Sequence, residues 1–231
     1  MKEGRKFSMQ YVWDFSVVWV EWPKLLVGLG YTLLLTILSF ALSVLLGMII
    51  CGLRVSSVRP IAFLAGVYIE FMRLTPLLVQ MLWIYTSLAL IAGIALSPFV
   101  AGLFALSMNS AAFLAEIFRS GLRSIPKGQY EATAVLGFTP WQSMRRIIGP
   151  QVFRTILPPL GSGWVSAFKD TSLLAVLGVP ELLTQAQVIS SATFRPLEVF
   201  ITVGLIYLAL AYPQALLVEH FYSRRKMQTR A

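Results

Sequence analysis

The sequence predicts an all-α membrane protein with about five transmembrane helices and a helix-turn-helix loop near its middle. Three observations carry that expectation. The 231 residues are 57% hydrophobic with a mean hydropathy of +0.75, whereas soluble domains are nearer half apolar and arrange those residues periodically. The apolar residues here form uninterrupted runs of spanning length. The basic residues sit between those runs, as positive-inside sorting places them, and are not interleaved with aromatics on a polar face. The net charge of +9 therefore points to membrane sidedness and not to a nucleic-acid partner.

Residues 1–24 read as an external interfacial segment. The first residues are basic but lack a short apolar core with a small-residue cleavage site, so no signal peptide is expected. Residues 11–22, YVWDFSVVWVEW, mix aromatics with Asp14 and Glu21, a composition suited to the headgroup level. The transmembrane domain is expected over residues 25–222. Its first span covers about Leu25 to Leu53, with Ser39, Ser43 and Gly47 as a stripe of small residues that admits another helix closely. Residues 61–72 contain Glu70 and form either a separate helix or a kinked extension. Thr75-Pro76 then caps a second span of about Leu77 to Ile94. Ser97-Pro98 opens a third span that reaches about Ala115.

Between the third and fourth spans, residues 126–159 lack spanning character. Gly128 to Leu136 is rich in helix formers, and Gly137 suits the left-handed position just past a helix end. Thr139, Pro140 and Gln142 then form an N-cap, a first helical position and a capping-box partner. In the second loop helix Trp141, Met144 and Ile148 are expected to share a face. The fourth span is read as Gly161 to Gly178, ended by Pro180, and residues 181–195 as a short amphipathic helix. Pro196 opens a fifth span to about Val218 with a kink at Pro213, followed by a basic tail over 223–231.

An odd number of spans puts the termini on opposite faces. Lys2, Arg5, Lys6, Lys24 and Arg195 lie on one side. The larger set, from Arg54 and Arg59 through the loop arginines to Arg224 and Arg225, lies on the other, which is therefore cytoplasmic. The N-terminus is then outside. Cys51 and His220 each stand alone, so neither a disulfide nor a metal site is expected.

The motifs also carry a resemblance. Glu131-Ala132-Thr133, Gly137 and the run ending Ile156-Leu157-Pro158 resemble the EAA loop of ABC importer permeases. The segments Arg73–Gln80, Ser107–Ser110, Ala115–Arg119, Ser124–Gln129, Lys169–Leu173 and Gln185–Gln187 resemble the polar amino acid permease subfamily, in the family's order over roughly residues 25–222. Thr133 departs from the usual second alanine and Leu74 from the usual glycine. The resemblance implies a type I ABC importer permease in a bacterial cytoplasmic (inner) membrane, paired with a second permease subunit, identical or homologous. It implies separate ATPase subunits that bind ATP and Mg and dock on Glu131, Ala132, Thr133 and Gly137, and an external amino-acid-binding protein. No cofactor is expected in this chain.

The candidate substrate residues are Asn109, Glu116, Lys169, Asp170 and Thr75. Asn109, Glu116 and Arg123 recur every seven residues with Ala112 between them, a polar stripe that should face protein or water. The alternative is an interhelical hydrogen-bond seam with Glu116 at the membrane edge, whereas Asn109, deeper in the span, is read as lining a cavity. Lys169 and Asp170 fall inside an apolar run, where an unpaired charge costs about 2.5 kcal/mol or more. As helical neighbours they point about 100° apart and need other partners. These are a zwitterionic substrate, water, a broken helix, Glu116 or a second subunit. Ser162 and Ser166 are expected on Lys169's face. The helix start at Thr75-Pro76 can hold a carboxylate or be only a capped kink. No GxxxxGK[ST] sequence and no nucleophile–base constellation occurs, so catalysis by this chain is not expected. Two other classes stay open on residues alone: an ion-driven secondary transporter using Lys169 and Asp170, and a non-transporting scaffold.

Overall fold

The computed structural model describes residues 11–91 and 93–228, with side chains described through Glu219. Lys2, Arg5, Lys6 and Arg230 of the charge argument lie outside the described residues, as do the side chains of His220, Arg224, Arg225 and Lys226.

Ten α-helices follow one another among the described residues. They are α1 (Ser16–Val20), α2 (Trp22–Arg54), α3 (Arg59–Leu74), α4 (Leu77–Ile91), α5 (Pro98–Arg123), α6 (Lys127–Val135), α7 (Pro140–Ser143), α8 (Gly149–Asp170), α9 (Leu182–Thr193) and α10 (Pro196–Gln228). Three of them, α2, α5 and α10, are long and apolar enough to cross a membrane. Counting the bent pair α3–α4 and the bent pair made by Pro140–Leu177 with α9 as one span each brings the total to the expected five, two of them broken.

Packing follows the small residues. Ser39, Ser43 and Gly47 are buried on α2 against α5, as expected. A Cβ added at Gly47 would meet Leu114 Cβ at 3.0 Å and the Ala111 carbonyl oxygen at 3.1 Å, so α5 approaches to backbone distance. The Ser43 hydroxyl donates to the Ser107 carbonyl at 3.1 Å across the same contact. Farther up α2, a Cβ at Gly28 would come within 2.9 Å of Leu182 Cα, and Thr32 Oγ1 accepts from Leu182 N at 3.1 Å. One helix thus holds α5 at one end and the start of α9 at the other. Cys51 is packed in a core cluster with Ile69, Leu114 and Ile148. By contrast, Ile49, Leu205 and Leu208 are about 60% exposed, an apolar outer surface suited to lipid or a second subunit.

Several boundaries differ from expectation for identifiable reasons. The interfacial segment is folded and not merely adsorbed. Glu198 of α10 accepts from the Tyr11 hydroxyl and from Asp14 N at 3.0 Å, and Arg195 donates to the Val12 carbonyl at 2.6 Å. Asp14 in turn accepts from the Ser16 hydroxyl and backbone N–H, which hold its carboxyl below the usual range. The third span continues past Ala115 to Arg123. The fourth begins at Gly149, not Gly161, because Pro158 and Pro159 lie inside α8 without ending it. That helix ends at Asp170. The Thr171 hydroxyl takes the Phe168 carbonyl and the Ser172 hydroxyl takes the Lys169 carbonyl, both at 2.7 Å, and Thr171–Leu177 tightens into a 3-10 helix closed by Gly178 at φ +74°. Pro213 lies within α10, which runs on through it.

Candidate functional site

Two cavities run along the seam between α5 and α8, facing the α3–α4 bend. The larger, about 440 Å³, is lined by Asn109, Ser110 and Phe113 from α5, by Ser162, Ser166 and Asp170 from α8, and by Thr75 and Leu77 at the bend. Ser162, Ser166 and Asp170 are each four apart and so occupy one helical face. Lys169, expected to share that face, is instead exposed and outside the cavity. Asp170 is partly buried where the helix tightens and has no hydrogen-bond or ion partner among the described residues. The cavity face thus carries the acid without the lysine.

The bend opposite is held by a network that rests on a residue outside the expected site. Gln80 is 5% exposed and its amide nitrogen donates to the Met72 carbonyl at 2.9 Å, the Thr75 carbonyl at 3.1 Å and the Thr75 hydroxyl at 2.5 Å. Its carbonyl accepts from Asn109 Nδ2 at 3.0 Å, and Asn109 also donates to the Met72 carbonyl at 3.0 Å. These bonds satisfy the carbonyls freed where α3 turns 111° into α4. Thr75 does not cap α4 with its side chain, because its hydroxyl donates back to the Phe71 carbonyl at 2.7 Å. Asn109 and Thr75 therefore reach the cavity wall already engaged. A conspicuous glutamine near Thr75-Pro76 was the available signal for Gln80, but its burial depends on a bend that periodicity does not show.

Glu116 lies apart from Asp170. It pairs with Arg119 one turn on and lines a second cavity of about 320 Å³ that also holds Arg73, Ser120 and Thr155. Asn109, Glu116 and Asp170 are thus not one cluster, and Glu116 is not Lys169's partner.

The loop unit is as the residues require, with one change. Gly137 has φ +76°; its N–H donates to the Ala134 carbonyl and that of Phe138 to the Thr133 carbonyl, both at 3.0 Å, which is a Schellman closure. Thr139 and Gln142 make the reciprocal capping box, at 2.9 and 3.3 Å. The change follows α7: Met144–Ile148 is a π turn in which Gly149 N–H reaches back to the Met144 carbonyl, an approach that only a residue lacking Cβ permits. The register shifts accordingly. Ile148 is fully buried while Trp141 is 70% exposed, so they do not share a packed face. Glu131 and Ala132 are exposed, whereas Thr133 is 3% exposed and donates to the Tyr130 carbonyl at 2.8 Å.

Two acids outside the expected site are fully buried. Glu181 caps α9, accepting from Leu183 N at 2.9 Å, Thr184 N at 2.6 Å and the Thr184 hydroxyl at 2.9 Å, and it also accepts from Tyr207 at 3.2 Å. Glu198 is the anchor of the N-terminal segment described above.

Sequence and structure comparisons agree with this fold. Residues 43–227 match the family described as binding-protein-dependent transport system inner membrane component. A probable amino-acid ABC transporter permease, YckA of Bacillus subtilis (strain 168), is 38% identical over 201 residues, covering 87% of this chain and 88% of its own. The glutamine transport system permease GlnP of Escherichia coli (strain K12) is 35% identical over 215 residues, covering 93% and 98%. The L-cystine transport system permease TcyB of Bacillus subtilis (strain 168) is 39% identical over 205 residues, covering 88% and 87%. Among solved structures, an amino acid ABC transporter crystallised with histidines superposes with a TM-score of 0.86 at 38% identity, covering 93% of this chain and all of that one. The inward-facing MetNI methionine ABC transporter, at 18% identity and a TM-score of 0.74, shares the fold over 90% and 97% of the two chains. The chain therefore belongs to the inner membrane components of binding-protein-dependent transport systems, among the amino-acid ABC transporter permeases.

Proposed function

We propose that this chain is the membrane-spanning permease of an ATP-driven importer of polar amino acids. The observation that carries the reading is the cavity between α5 and α8, where a half-buried, unpartnered Asp170 faces the start of α4 across a wall of serines. A zwitterion leaving water needs an opposite charge for its ammonium and oriented dipoles for its carboxylate. Asp170 supplies the first. The α4 start at Leu77 supplies the second, and Asn109 and Thr75, whose donors are spent within the bend, hold that helix start at the cavity wall. Lys169 takes no part in binding on this reading, and Glu116 acts nearer the cytoplasm.

Energy enters from outside the chain. ATPase subunits dock on the helix-turn-helix, whose exposed Glu131, Ala132 and Trp141 offer a mixed polar and apolar surface, while Thr133 and Gly137 shape it from within. An external binding protein delivers the amino acid, and a second permease subunit completes the pathway. The N-terminus is outside and the C-terminus cytoplasmic. Arg54, Arg59, Arg123, Lys127, Arg145 and Arg146 then gather on the inner face, at the ends of α2, α3 and α5 and in the loop.

The test is uptake into proteoliposomes holding the permease with its ATPase and binding protein. Labelled amino acids should accumulate only with ATP and Mg on the ATPase side and persist when ion gradients are collapsed. Competition by unlabelled amino acids then identifies the cargo. Gradient-driven uptake without ATP would overturn the proposal in favour of a secondary transporter.

A further inference from the structure

The two cavities described above are consecutive along the same pair of helices. On α5 the larger cavity takes Asn109 to Ile117 and the smaller takes Phe113 to Gly121. On the antiparallel α8 the order reverses, Asp170 to Pro159 and then Pro159 to Thr155. At the bend the same order holds, with Thr75 and Leu77 on the larger cavity and Arg73 on the smaller. Together they form one groove of roughly 20 Å along the helix axes, most of the hydrocarbon thickness of a bilayer. Its two halves share three walls: Phe113, Ile117 and Pro159.

Phe113 differs from the other two in carrying a large ring that can change rotamer. The residue is 44% exposed, so it is not fixed by surrounding core, and the Arg73 guanidinium lies 5.6 Å from the ring centroid. Arg73 is itself exposed at the rim of the smaller cavity and makes no described ion pair. Pro159 has no N–H, so the Thr155 carbonyl, four residues back, lacks its helical donor and leaves an acceptor beside the pinch.

We infer that Phe113 is the barrier between the Asp170 cavity and the Glu116 cavity, and that Arg73 positions its ring by a cation–π contact. The substrate path then has two stations in series, and movement of one ring connects them. Arg73 acts through Phe113 as a positioning residue. The inference places a barrier on the path proposed above and rests on that reading only for what passes through it.

The test reads the groove without any amino acid. In full-length permease with Cys51→Ser, in membrane vesicles, Ser166→Cys reports the larger cavity and Thr155→Cys the smaller. A charged, membrane-impermeant methanethiosulfonate reagent is added to the face from which Thr155→Cys reacts. Phe113→Ala should raise the labelling rate of Ser166→Cys about tenfold or more and leave that of Thr155→Cys unchanged. Arg73→Gln and Phe113→Leu should raise it about fivefold, the change in open population expected from losing a cation–π contact of ordinary strength. Arg73→Lys, which keeps the cation, should stay within about twofold of the parent. Unchanged Ser166→Cys labelling in the Phe113 and Arg73→Gln variants overturns the inference, and so does an equal rise at both cysteines. Should Phe113→Ala fail to insert, Phe113→Leu and Arg73→Gln decide the matter. Failure of ATP-driven uptake with these labelling changes intact would remove the amino-acid reading and keep the barrier.

Discussion

Two regions of this molecule treat a buried carboxylate in opposite ways. At the α9 and α10 ends, Glu181 and Glu198 have no exposure and spend their oxygens on neighbouring hydroxyls and backbone N–H groups. Along the α5–α8 groove, Asp170 is partly exposed to a cavity and spends nothing. A buried charge is retained either because its partners fix the fold or because a partner arrives later. The difference teaches that the state of a carboxylate's hydrogen-bond partners, and not its depth in the membrane, separates an acid committed to the fold from one free to take a partner.

The largest effect that tests this contrast is expected at Glu181. Glu181→Ala strands four donors, which should cost about 3–5 kcal/mol and lower the melting temperature of the detergent-solubilised permease by about 10 °C. A melting temperature within a few degrees of the parent would break the contrast at its closed end. Asn109 should come next. Although it touches the cavity, its amide is committed to Met72 and Gln80, so Asn109→Ala should cost about 2 kcal/mol, read by the same thermal assay. Asp170→Asn should change stability by less than about 1 kcal/mol while lowering ATP-driven uptake about tenfold or more, since the shape stays and the charge goes. Loss of assembled complex would instead mean that Asp170 has a structural partner in the second subunit. The smallest effect belongs to Lys169: Lys169→Met should leave uptake near the parent's and stability within about 0.5 kcal/mol, because the side chain is exposed and off the cavity.

Legibility in the sequence followed the range of the interactions involved. Local chemistry was readable. The Gly137 closure, the Thr139–Gln142 capping box and the Ser39, Ser43, Gly47 stripe each depend on residues within a few positions, and each is present. What failed to read was register beyond a break. The π turn at Met144–Ile148 separates Trp141 from Ile148. Asp170, four residues after Ser166, takes the serine face by plain helical spacing, and Lys169 is left outside the cavity. The π shift arises from Gly149's approach to the Met144 carbonyl, which does not alter hydropathy. Gln80 and Glu181 were assigned no role for a related reason. Their bonding partners lie across a bend or on another helix, and only the assembled fold brings them together. The prolines misled in the other direction, since Pro158 and Pro159 look like the end of a loop yet lie within a span.

That proline pair has a mechanical consequence. From Pro140 through the π turn to Asp170 the backbone is helical without interruption, a rod with one point that lacks two successive hydrogen bonds. Such a point is a hinge, and here it coincides with the Pro159 wall shared by the two cavities. The arm toward the loop is about 28 Å long and the arm toward Asp170 about 17 Å. Bending there tilts the loop arm without obliging the Asp170 arm to follow, so the pinch between the cavities is where this backbone changes shape most easily.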